Sequence, residues 1–155
     1  MGYHHLCYHP QVAPKEGIFM KQCELSKKEL VRRKELTDNT RKMISGVMSI
    51  VAEDDTSIMT TYRDFYLQIS FSELHPLMVF CMAKPLEGKM QALQRVSNEM
   101  NLRSVLGSHS VNEEYSCYNY RATHWLDAQM DKDRFFEILN RCVDEAVRGY
   151  HQLAS

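Results

Sequence analysis

The chain has 155 residues, of which 44% are hydrophobic and 25% charged, and its net charge is −1. Those values describe one globular domain, of a size that buries roughly 70% of its unfolded surface. They argue against a general nucleic-acid binder and against a membrane-surface protein. The longest apolar run, Pro76 to Ala83, has strand length, far short of the ~20 residues a membrane helix needs. The charge is uneven: residues 1–43 carry nine Lys/Arg against five Asp/Glu, and the remainder ten against fifteen.

Residues 1–24 read as a flexible N-terminal arm, and 25–155 as a single α+β domain. The arm holds Pro10, Pro14, Gly17 and three of the seven histidines, without lasting periodicity. Met20 is a candidate start, which would make the first nineteen residues dispensable. A helix is expected from Ser26. Its hydroxyl can cap the N–H of Glu29, whose carboxylate can reach back, and Leu25 and Leu30 stand at hydrophobic-staple positions. Met43, Ile44, Val47, Met48 and Val51 form the buried stripe of its second half, and Thr37 to Thr40 is the place where the helix could break.

A first strand follows over Ser57–Tyr62, and a second begins at Asp64 and Phe65. There Phe65, Leu67, Ile69 and Phe71 alternate with Tyr66, Gln68, Ser70 and Ser72, which gives one core face and one polar face. The third strand, Leu77–Ala83, is apolar throughout and is expected at the centre of the sheet. After Pro85 and Gly88, the residues Met90, Leu93, Val96 and Met100 define one face of a helix of about three turns. Strands over about Arg103–Val111 and Tyr115–Trp125 are joined by the loop Asn112-Glu113-Glu114. The closing helix carries Phe135, Leu139, Cys142, Val143, Ala146, Tyr150 and Leu153 at spacings of three and four, with Asp131 as its cap. The expected fold is α+β, in the order α-βββ-α-ββ-α: one antiparallel sheet of about five strands, with helices mainly on one face.

The run from Ile58 to Leu153, about two-thirds of the chain, resembles the YbjN family of bacterial proteins, which share the fold of type III secretion chaperones. The likeness lies in the order of elements and in two local patterns. Ser97-Asn98-Glu99-Met100-Asn101 closes the middle helix directly before a strand, and Phe135-Phe136-Glu137-Ile138-Leu139 follows an acidic start. The resemblance implies a curved antiparallel sheet backed by helices, frequent homodimerisation and no catalytic residues to carry across. Chaperones of this fold hold an extended or partly unfolded partner, and the YbjN branch is linked to sensory or stress regulation. The basic N-terminal segment departs from the compact pattern, so the resemblance does not supply a partner.

Several clusters invite a chemical reading. His4-His5-Leu6-Cys7-Tyr8-His9 gathers metal-binding side chains, but no second Cys/His pair follows at finger spacing, so no metal or cofactor is expected. Lys27, Lys28, Arg32, Arg33, Lys34, Arg41 and Lys42 could meet phosphates. However, Glu29 with Arg33 and Asp38 with Lys42 build a solvated helix face, and no aromatics alternate with the cations. Cys7, Cys23, Cys81, Cys117 and Cys142 make an odd set without a Cys-x-x-Cys pair. With no signal peptide evident, they point to a reducing cytoplasm.

Catalysis would need Cys81 or Cys117 brought to His75, His109 or His124, and no Gly-rich elbow, phosphate loop or His-Glu-x-x-His motif supports it. Buried thiols and hydrogen-bonded histidines are the simpler reading. Tyr62, Tyr66, Tyr115, Tyr118, Tyr120 and Trp125 fall on expected strands, where such residues serve either interfaces or helix packing. Methionines on the helix faces suit a core as well as an adaptable groove. The expectation is therefore a non-catalytic, chaperone-like or regulatory protein-binding module that forms a homodimer. Its footprint is expected at Tyr66, Gln68 and Ser70 of the sheet and at Arg32 and Arg33 of the basic helix. The alternative is an enzyme or small-ligand binder with a pocket between sheet and closing helix, built from groups such as His75, Cys81 or His124.

Overall fold

The computed structural model describes residues 25–72 and 74–155. The expected arm, its His/Cys cluster, Cys7 and Cys23 lie outside the described residues. The first helix, α1, spans Lys27–Val47 and is capped as expected, with the Ser26 hydroxyl accepting from Glu29 N at 3.2 Å. The return half of the cap is missing. Glu29 instead takes bidentate and single bonds from Arg32 and Arg33, whose charge outcompetes a neutral N–H.

One open point about α1 is decided and one expectation fails. The helix runs unbroken through Thr37 to Thr40, because Thr40 turns into the core with only 4% exposure. It also ends before Val51, which is 75% exposed. Met48 is already extended, and Val51 N donates to Met59 O at 2.9 Å, so sheet pairing takes the segment from the helix.

That pairing adds a two-residue strand, β1 (Ala52–Glu53), to the five expected. The others are β2 (Ser57–Tyr62), β3 (Phe65–Phe71), β4 (Leu77–Pro85), β5 (Gly107–Asn112) and β6 (Cys117–Trp125), with α2 (Met90–Asn101) between β4 and β5 and α3 (Lys132–Ala154) last. The six form one antiparallel sheet in the order β1-β2-β3-β4-β6-β5. Asp64 belongs to the β2–β3 turn rather than to β3. Arg63 and Asp64 both have positive φ, 46° and 67°, the geometry of a tight hairpin whose twist matches its strands. Residues 103–106 and Tyr115 are likewise loop, not strand.

All three helices contribute to one face of the sheet. Ile58, Ile69, Phe80 and Ala122 lie across neighbouring strands in register and are buried with Ile44 of α1 and Phe135, Leu139 and Val143 of α3. Phe80 and Phe135 meet edge to face at 6.1 Å. Asp131 caps α3 by accepting from Arg134 N at 2.8 Å. Where β5 would leave a free edge, the Asn101 carboxamide takes the place of a strand. It donates to His109 O at 2.9 Å and accepts from His109 N at 2.7 Å.

Candidate functional site

The opposite face of the sheet has no helix over it among the described residues. Its rows follow from the register. Met59, Gln68, Cys81, Arg121 and Ser108 form one; Thr61, Tyr66, Ala83, Asn119 and Ser110 form the next. Along its middle run Leu77, Val79, Cys81 and Ala83, apolar and half-buried, because β4 is an interior strand whose outer side chains are shielded only by their neighbours. Tyr66 and Trp125 rim this strip at 65% and 63% exposure. A shallow hollow of about 380 Å³ opens between Val51, Met59, Tyr66, Gln68, Cys81 and Asn119.

Tyr66, Gln68 and Ser70, expected as partner contacts, come together here, and Gln68 Nε2 donates to Ser70 Oγ at 3.3 Å. Arg32 and Arg33 do not join them. They sit on α1, on the covered side, and Arg33 Nη1 donates to Leu74 O at 3.0 Å in the β3–β4 turn, at the end of β3 remote from Tyr66. Hydrogen bonds from Arg32 and then Arg33 pull the Glu29 carboxyl down to about 2.

Strand parity also separates the two candidate thiols from two of the candidate bases. Cys81 and Cys117 point to the uncovered face, whereas His109 and His124 point to the helices, so the sheet stands between each thiol and each of these imidazoles. His75 lies in the exposed β3–β4 turn, 6.2 Å from the Trp125 ring. Burial pushes the Cys81 thiol up, against a smaller opposing pull from Arg121, which is the reverse of an activated nucleophile. Burial lowers His124, with Arg134 adding to the effect. The described residues hold no His/Cys/Asp/Glu cluster of metal-binding geometry, and no described helix is long and apolar enough to cross a membrane.

Tyr62, Tyr118 and Tyr120 face the helices, each with a bonded hydroxyl, while Tyr115 stands exposed in the hairpin loop. Sequence reasoning missed the partner of Tyr120. Glu145 of α3 is only 8% exposed and accepts from Val105 N, Leu106 N and Gly107 N, at 2.9 Å from the last, and from the Tyr120 hydroxyl at 2.9 Å. Burial alone would raise this carboxyl, but the four donors together outweigh it and hold it below the ordinary value. The signal was present: Glu145 falls three residues after Cys142 and four before Gly149, on the buried stripe of α3, where a charge needs partners.

No family model matches this sequence, and no curated protein matches it. Solved structures do match. A chain of the HopA1–SchA chaperone–effector complex aligns with a TM-score of 0.54 at 11% identity, over 83% of this chain and 99% of that one. YbjN from E. coli, described as a candidate transcription regulator, aligns with a TM-score of 0.57 at 9% identity, over 73% of this chain and 87% of its own. The fold is YbjN-like and chaperone-like. The Yersinia pestis type III secretion chaperone SycH, solved with a fragment of YscM2, aligns at 0.49 with 15% identity, over 75% of this chain and 98% of that one. Identities this low establish the fold and leave the task to be argued from the surface.

Proposed function

We propose that this chain is a non-catalytic protein-binding module, chaperone-like or regulatory, which receives a partner segment on its uncovered sheet face and acts as a cytoplasmic homodimer. The observation that supports this reading is the apolar strip Leu77, Val79, Cys81 and Ala83, half-exposed and rimmed by Tyr66 and Trp125. Tyr and Trp offer large contact area at small entropic cost, and a strip of this kind gains free energy only when another surface covers it. Gln68 and Ser70 supply hydrogen bonds beside Tyr66. Arg32, 56% exposed in its side chain, supplies a second and separate contact on α1, with Arg33 holding the β3–β4 turn behind it. The HopA1–SchA complex, a chaperone bound to an effector, makes a protein partner the natural class on this fold.

The test is affinity capture from lysate with mass-spectrometric identification, run for the native chain and for Tyr66→Glu/Val79→Glu, alongside the mass of each by sedimentation. The native chain is expected to sediment as a dimer and to capture a protein that the double variant loses, with both giving the same circular dichroism. Equal capture by the variant would move the interface off this face. A strict monomer that captures nothing would end the reading.

A further inference from the structure

A second hollow, of about 530 Å³, opens on the covered side of the sheet, between the end of α2, the turn after it and α3. Its size falls within the range of small-molecule sites. His109, from β5, lines it and is 5% exposed. Gly149 of α3 permits the imidazole to come this close: a Cβ there would stand 2.5 Å from His109 Nδ1 and 2.8 Å from the Tyr118 hydroxyl.

The hydrogen bonds assign the ring's proton. His109 Nδ1 lies 2.6 Å from the Tyr118 hydroxyl, which is wholly buried and has no other partner among the described residues. That hydroxyl therefore donates to Nδ1, and the ring's own N–H is on Nε2. Burial keeps the imidazole neutral against the opposing pull of Glu145, and keeps the Tyr118 hydroxyl protonated. Nε2 has no partner among the described residues, yet it is not among their sealed polar atoms, so its N–H opens into the hollow.

The hollow also holds two charged donors. Arg103 and Arg148 stand on its wall, both exposed and neither in an ion pair among the described residues. Of the two carboxylates in the lining, Glu145 keeps its charge but has both oxygens engaged by its four donors, which leaves Glu99 as the carboxylate with free oxygens beside two guanidiniums.

We propose that this hollow binds a small soluble anion, whose phosphate or carboxylate group is held by Arg103, Arg148 and the His109 Nε2–H. Donors of this kind, two of them charged, suit an oxyanion. The site lies on the opposite side of the sheet from the proposed protein interface and stands independently of it.

The test is a titration of the full chain, uniformly isotope-labelled, against inorganic phosphate and separately against citrate, at constant ionic strength, followed by NMR. The His109 ring and the Ser104 and Val105 amides are expected to shift saturably, and the His109 pKa to rise as the bound anion favours imidazolium. Phosphate alone, or citrate alone, would fix the headgroup class. Arg103→Gln/Arg148→Gln should weaken binding at least about tenfold. The proposal falls if neither anion gives a saturable shift by about 20 mM, or if the arginine variant binds as the native chain does.

Discussion

On β4, Met78, Phe80 and Met82 are sealed beneath the helices, while Leu77, Val79 and Cys81, interleaved with them, stay half-exposed on the other side. The two sets share one strand, one ladder of hydrogen bonds and one apolar chemistry. They differ only in what stands opposite. Full burial of such a side chain is worth roughly 1.5–3 kcal/mol, so the inner set holds the fold together. The outer set leaves part of that energy unrealised, available to whatever surface next covers it. An apolar residue in an interior strand therefore marks two different things, depending on which way it points.

The sharpest way to break this comparison is to truncate one residue from each set. Phe80→Ala is expected to cost about 3–5 kcal/mol in urea unfolding, and Val79→Ala about 1 kcal/mol or less. A Val79→Ala cost as large as that of Phe80→Ala, growing with protein concentration, would mean that a second copy covers the outer face in solution.

Next comes the carboxylate that ties α3 to the turn before β5. Glu145→Gln should cost about 1–3 kcal/mol, since an amide nitrogen cannot accept the backbone N–H groups that a carboxylate oxygen accepted. The pH dependence has a definite sign. The Glu145 pKa is lowered on folding, so its stabilisation is present above the ordinary value of 4.5 and is lost as pH falls through the lowered one. The gap between native chain and variant should therefore narrow in acid. A gap that widened would show that the carboxyl is protonated in the fold.

The mildest probe leaves the fold untouched. With Cys7 and Cys23 replaced by Ser, a maleimide should label Cys81 and Cys117 on the native chain, Cys81 slowly because burial raises its pKa. Cys142 should react only in denaturant, since it is wholly buried and its thiol is pushed up to about 11, chiefly by burial. Native labelling of Cys142 would mean that α3 lifts from the sheet.

What the sequence determined by itself was local and periodic. The Ser26 and Asp131 caps, the alternation from Phe65 to Phe71 and the stripe of α3 depend on residues at most four apart. They appear in the structure as read, and the shared face of Tyr66, Gln68 and Ser70 follows from the same alternation. Where a distant partner competed, local reading lost. Val51 fits the α1 stripe, but Met59 O draws its N–H into the sheet, and the Glu29 carboxylate prefers two guanidiniums to its own cap.

Only the tertiary structure decided which sheet face the helices cover, and with it the side to which each row of side chains is given. It also placed Arg32 and Arg33 away from Tyr66, and brought Glu145 to Tyr120 across 25 positions and Asn101 to the edge of β5. Both candidate surfaces belong to this second class. Each is a gap between elements, and the pattern within any one element does not encode the space left between it and the next.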